Sequence, residues 1–219
     1  MSFARRLAKR SLGRWVWLET YRCLRLPWKQ AQDAGTEAAQ AAVPVKVRQL
    51  ERADLARYAS ETEYEISPRF LDGIAARDDL CFGAFVDGKL ASYRFFAVRP
   101  TAIDSYLRFH FPARWIYAYK AFTHPAWRGK QIHRQLFLRS LPQVGAWLPG
   151  LQEPLGFVTL VVSDNAPSRS ALTRLGFSPF ESFSVLRIRS RPRLVSPPEE
   201  DRAGFYIELT DKRGGKTGQ

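Results

Sequence analysis

Between Val45 and Thr210, stretches with apolar residues at every second position give way to stretches with a period of three to four, which predicts strands and helices in turn. VKVRQL (45–50) predicts a short strand and ERADLARYA (51–59) a helix. Ser67-Pro68 supplies a cap and a first helical position for another. LCFGAFVDGKLASYRFFAV (80–98) reads as two apolar strands joined at Asp87-Gly88, a pair that tolerates the left-handed angles of a tight hairpin turn. RWIYAYKAFTHP (114–125) predicts a strand and GKQIHRQLFLRSLPQVGAWL (129–148) a helix. GFVTLVVS (156–163) is apolar apart from Thr159 and Ser163, hence a central strand covered on both faces. NAPSRSALTRLGF (165–177) is a helix closed by Gly176. Two late strands, FSVLRIRS (183–190) and GFYIELT (204–210), flank a Pro-rich stretch at 192–198. A hairpin followed by crossovers predicts an α/β fold, a mixed, mostly antiparallel sheet with helices on both faces.

The first residues follow a different pattern. Phe3, Leu7, Leu12, Trp15, Leu18, Tyr21 and Leu24/Leu26 recur every three to five positions, approximating one face of a helix that Pro27 ends. This predicts a basic amphipathic helix over 1–29, a linker over 30–44, a folded domain over 45–211 and a disordered tail at 212–219. Lys and Arg number 34 against 21 Asp and Glu, a net charge of +13, so an anionic partner is expected. The first thirty residues carry eight basic side chains against Glu19 alone. A basic helix with tryptophans suits the interface of an anionic bilayer, and equally a dock on its own domain or on a partner helix. Arg14, Glu19, Arg22 and Arg25 interrupt any secretory apolar core, and no run of about 18 apolar residues occurs. The expected location is the cytoplasm, at the inner face of the membrane in the bilayer reading. Cys23 and Cys81 make no disulfide framework, and three scattered histidines predict no metal site. No nucleic-acid module accompanies the charge, which ranks that partner last.

Two segments carry chemistry. THPAWRGKQIHRQL (123–136) places Arg128, Gly129 and Lys130 at a strand-to-helix turn, where free backbone N–H groups and the helix dipole attract phosphate. One strand later, DNAPSRSALTRLGF brings Asn165, Ala171, Leu175, Gly176 and Phe177 in a fixed pattern. Together the two segments resemble the GNAT acyltransferases, which move an acyl group from coenzyme A to an amine. HPAWRGKQIH matches that family's phosphate turn through Arg128, Gly129, Lys130 and Ile132, and the later segment matches its Asn, Ala and LeuGlyPhe positions. The likeness covers about residues 45–190. It departs from the family pattern at Gln131 and His133, where glycine or alanine is usual, and at Leu172, the position of the tyrosine that protonates the leaving thiolate.

The resemblance implies an acyl-CoA-dependent N-acyltransferase, most readily an acetyltransferase, working by direct transfer in a ternary complex. Acetyl-CoA or another acyl-CoA would be a cosubstrate, with no cofactor bound permanently and no metal. It implies a thioester lying between the strands at 115–123 and 156–163. The donor would be held by backbone around Phe122 and Thr123, by Arg128, Gly129, Lys130, Gln131, Ile132 and His133, and by Asn165 and Ser168. Catalytic candidates are Tyr117 and Tyr119 on the first of these strands, sharing one face with Ala121 by alternation, and Glu63 and Glu65 in a segment that borders the acceptor site in relatives. Glu181 is a further carboxylate near the cleft. The aromatic connection at 99–115, with Tyr106, Phe109, Phe111 and Trp115, would wall an apolar pocket or pack on the N-terminal helix. Alternatives are a catalytically weak GNAT-fold binding module and a long-chain acyltransferase fed by an acidic acyl carrier protein docked on residues 1–29.

Overall fold

The computed structural model describes residues 16–37, 43–148, 153–188, 191–195 and 203–210. An eight-stranded sheet runs in the spatial order β10-β9-β1-β8-β7-β4-β3-β2. Its strands are β1 (Val16–Pro27), β2 (Lys46–Gln49), β3 (Leu80–Val86), β4 (Lys89–Ala97), β7 (Trp115–Thr123), β8 (Gly156–Val162), β9 (Ser178–Ile188) and β10 (Arg191–Leu194). A smaller sheet joins β5 (Thr101–Ala102), β6 (Leu107–His110) and β11 (Tyr206–Leu209) in the order β11-β6-β5. Every pairing is antiparallel except that of β7 with β8. The expected mixed, mostly antiparallel sheet is the sheet observed.

Residues 16–27 correct the N-terminal helix: they form a strand. β1 lies between β8 and β9 and pairs with both, Cys23 facing Leu160 on one side and Glu181 on the other. Tyr21 and Cys23 are buried on one face and Leu24 and Leu26 on the other. The apolar spacing fits a helix as well as a strand, but backbone bonds along two edges decide for the strand. Residues 30–37 correct the linker expected over 30–44, of which 38–42 lie outside the described residues. Trp28–Glu37 is a helix, α1, whose Trp28 and Ala31 are buried against the core. Its Gln and Ala content, read as a linker, also favours helix. Residues 1–15 and 211–219 lie outside the described residues.

The remaining helices are α2 (Arg52–Ala59), α3 (Pro68–Ala75), α4 (Ile132–Ala146) and α5 (Ala166–Arg174). Two cores result, one on each face of the sheet. α1, α4 and α5 cover the first core, through Trp28, Leu136, Phe137, Leu172 and Phe177. α2, α3 and the small sheet cover the second, through Leu55, Tyr58, Ile74, Phe109 and Ile207. Each buried aromatic or leucine of these layers contributes roughly 2 kcal/mol of transfer free energy.

The aromatic connection packs on this second core rather than walling an open pocket. Phe109 lies 5.0 Å from Tyr117 and Phe111 5.7 Å, while Trp115 meets Phe205. β11 pairs with β6 to complete this cover. At Gly156 the backbone of β1 comes so close that a Cβ would sit 2.3 Å from the Leu26 carbonyl oxygen, so no other residue fits where β8 begins.

Candidate functional site

β7 and β8 pair only from Trp115–Tyr117 to Gly156–Val158, and then diverge. The cause lies on the other edge of β7. Phe95 of β4 faces Tyr119 and Tyr93 faces Phe122, so Lys120 and Ala121 together face Arg94 alone. This is a bulge, and Lys120 takes a left-handed φ of 45° to make it. The strand bends, and Ala118–Thr123 part from β8. The bulge also resets the alternation. Tyr117, Tyr119 and Phe122 all join the second core, so Ala121 does not share the face of the two tyrosines as expected.

Beyond the bulge, the His124 amide donates to the Ala91 carbonyl at 2.9 Å and Ser92 Oγ donates to the Phe122 carbonyl at 2.5 Å. Phe122 and His124 therefore turn their peptide groups towards β4, and alternation turns those of Ala121 and Thr123 to the open edge. Of the two residues assigned to the donor arm, Thr123 is the one with backbone facing the opening. Phe122 instead packs on Tyr93 and Tyr64.

The strand leads into the basic turn. Pro125–Trp127 forms one 3-10 turn, Arg128 Nε donates to the Thr123 carbonyl at 3.0 Å, and Lys130 Nζ lies 4.6 Å above the Trp127 ring. Gly129 has φ +79° with open space around it. Gln131, the residue before α4, is left-handed at φ 57°, a conformation that explains the value of glycine there. Ile132 is buried under the turn. His133 corrects an expectation. Its Nε2 is buried and unpartnered, and burial together with Arg94 holds the imidazole well below its ordinary range. Its side chain therefore turns inwards, away from any phosphate on the outside of the turn, and stays neutral.

Asn165 caps α5 by accepting from the Ser168 amide at 3.2 Å, which occupies the assigned Asn side chain in the fold. Leu172 is 5% exposed within the first core, so its place in the helix is a packing position. Glu181 lines a cavity of about 390 Å³ with Thr20, Arg22, Ser163 and Phe180, across β8 from the divergence.

The tyrosine candidates are held in the second core. Tyr117 and Tyr119 stack at 5.2 Å. Tyr119 Oη donates to Asp79 Oδ2 at 2.6 Å, and Arg77 bonds both partners. Burial raises both phenols far above their ordinary value, so neither serves as a base near neutral pH. The carboxylate candidates are placed differently. Tyr64, whose carbonyl accepts from Tyr93 Oη at 2.7 Å, fixes the 61–65 segment against the end of β7. Lys120 Nζ donates to the Glu65 carbonyl at 2.9 Å, drawing that segment over the bulge. Glu63 Oε2 lies 3.5 Å from His124 Nε2, while His124 Nδ1 accepts from the Ala126 amide at 3.3 Å. That amide leaves the imidazole proton on Nε2, facing Glu63. His124 was missed in the sequence because it only precedes the turn. Its contact with Glu63 spans sixty residues.

No family model matches the sequence, and no curated protein matches it either. Solved structures do. A tandem GNAT protein from the clavulanic acid biosynthesis pathway superposes with a TM-score of 0.55 at 18% identity, over 83% of this chain and 55% of its own. This fold is the GNAT fold. A GCN5-related N-acetyltransferase-like protein from Streptococcus suis has a TM-score of 0.51 at 10% identity, over 84% of this chain and 67% of that one. A functionally unknown conserved protein from Staphylococcus epidermidis superposes with a TM-score of 0.55 at 7% identity, over 85% of this chain and 67% of that one.

Proposed function

We propose that this GNAT-fold chain is an acyl-CoA-dependent N-acyltransferase. One observation carries the reading: the divergence of β7 from β8 opens directly beside a basic turn at the start of α4. The open backbone edge at Ala121 and Thr123 receives the pantetheine arm, and the turn amides with Arg128 and Lys130 receive the phosphates. The amine attacks the thioester carbon, the C–N bond forms, and collapse of the oxyanion breaks the C–S bond. Glu63, oriented by His124, accepts the proton the amine loses, directly or through one water. Glu65 borders the same opening and adds negative charge for a cationic acceptor. Tyr119 positions the bulge and Leu172 contributes packing, so the thiolate leaves by taking a proton from solvent.

Calorimetric titration of acetyl-CoA and palmitoyl-CoA tests the donor, with an Arg128→Ala, Lys130→Ala variant beside the unaltered chain. Saturable binding lost in the variant is the expected result, and the preferred chain length sets the acyl class. Absence of binding by either donor sinks the reading.

The surface favours a second, separate partner. Val16, Trp17 and Leu18 are 51%, 40% and 58% exposed, and follow a segment containing Arg5, Arg6, Lys9, Arg10 and Arg14. We infer that this end meets an anionic lipid surface, although not through the helix expected over 1–29, whose residues 16–27 form a strand. No described helix is long and apolar enough to cross a membrane. Co-sedimentation with phosphatidylglycerol vesicles and not with phosphatidylcholine vesicles is expected. Equal binding to both vesicles, or binding to neither, removes the inference.

A further inference from the structure

Arg94 sits in the middle of β4 and is 2% exposed. Its Nε and Nη1 are buried without hydrogen-bond partners, and among the described residues no carboxylate is paired with it. Its guanidinium carbon lies 5.1 Å above the Phe137 ring, beneath the second turn of α4, and its charge acts on His133 in the first turn. Burial alone pushes the guanidinium down to about 9, so the group is still a cation near neutral pH.

The position of this cation in the fold matters as much as its isolation. Arg94 is the residue opposed by the Lys120–Ala121 bulge, the point at which β7 leaves β8. Two residues earlier on the same strand, Ser92 bonds the Phe122 carbonyl and lies 3.1 Å from Thr123 Oγ1, and the Thr123 carbonyl in turn accepts from Arg128. Arg94 therefore underlies both the open edge and the basic turn. A buried guanidinium with no counter-ion among the described residues is costly to keep, since the Phe137 ring offsets only part of its desolvation. An anion arriving at the start of α4 would offset it, and across a low-dielectric interior the attraction reaches further than it does at the surface.

We propose that Arg94 is a buried anion anchor that attracts the diphosphate of the donor from beneath the first turn of α4, working with the exposed Arg128 and Lys130 from the outside. The inference rests on the acyl-CoA reading for the identity of the anion, but not for its existence. His133 fits this role because it lies within reach of the Arg94 charge as a neutral group and leaves the cation unneutralised. The two sets of cations also differ in their response to salt. Exposed Arg128 and Lys130 are screened by added ions, whereas Arg94 is shielded from them.

The test uses the full chain with Arg94→Met and Arg94→Gln variants, and two probes, coenzyme A and inorganic pyrophosphate. Thermal unfolding without ligand should show both variants melting at or above the temperature of the unaltered protein, because an unpaired buried charge has gone. Calorimetry should show both probes bound about tenfold more weakly by the variants. That deficit should persist between about 50 mM and about 500 mM salt, while the deficit of Arg128→Ala shrinks. Variants that melt lower yet bind both probes normally would make Arg94 a structural residue and overturn the proposal. Pyrophosphate binding that depends on Arg94 without any binding of coenzyme A would keep the anchor and discard the acyl-CoA reading. Coenzyme A bound equally by variant and unaltered protein would do the reverse, and binding of neither probe would discard both.

Discussion

Arg77 and Arg94 are two largely buried guanidiniums on opposite faces of one sheet, and the fold treats them in opposite ways. Arg77 bonds Asp79 and Tyr119 in the second core, so its charge meets a carboxylate through Asp79 Oδ2, while Asp79 Oδ1 is buried without a hydrogen-bond partner. Arg94, facing the first core, has an aromatic ring and a neutral imidazole for company. The first arrangement is what a static structure needs. The second is what a structure leaves open for a ligand, because an unpaired cation loses stability in the free protein that only binding restores. The bulge separates them: Tyr119 before it belongs to the closed cluster, and the open edge after it belongs to the turn.

The sharpest break in this comparison is Asp79→Ala. It strands Arg77 and the Tyr119 hydroxyl and should cost about 3 kcal/mol, read as a fall in urea midpoint with an unchanged slope. A loss below ~1 kcal/mol would mean that the Arg77 cluster is no more structural than Arg94. His133 offers the next effect, through pH. Its depressed folded pKa means that the unfolded chain takes up a proton first as pH falls below about 6.5. Stability should therefore drop on acidification from that point, by up to about 1.4 kcal/mol per pH unit, and His133→Asn should flatten the slope. A smaller gain is expected from Gln131→Gly, which relieves the left-handed φ of 57° and should add ~0.5 kcal/mol. A lower melting temperature would show that the Gln131 side chain holds the turn.

The smallest effect belongs to the surface. Arg48 holds the Asp54 carboxyl down at about 2, but both groups are solvent-accessible, so Asp54→Asn should cost less than about 1 kcal/mol. That contribution is complete above the ordinary carboxylate pKa and is lost as pH falls towards 2. It calibrates what an exposed ion pair is worth beside the buried ones.

Much of this fold could be read along the chain where local signals agreed with tertiary demand. Asp87-Gly88 makes the tight turn of the β3–β4 hairpin, and Ser67-Pro68 caps and opens α3 as their chemistry requires. The basic turn and the α5 segment were legible because each combines a helix start with charge or a cap in a short window. Residues 16–27 were not, because their apolar spacing suits two periods and the choice rests on β8 and β9, more than a hundred residues away. The bulge at Lys120 was equally hidden, since no glycine marks it. The Glu63–His124 contact and the isolation of Arg94 are relations between distant elements and leave no local trace.

The most direct test of where the donor binds is amide hydrogen exchange of the full chain with and without acetyl-CoA. The account predicts added protection over Ala121–Thr123 and over the turn at 128–133, with little change at Thr20, Arg22 and Glu181 around the cavity across β8. Protection confined to that cavity, with the turn and the open edge of β7 unchanged, would contradict it.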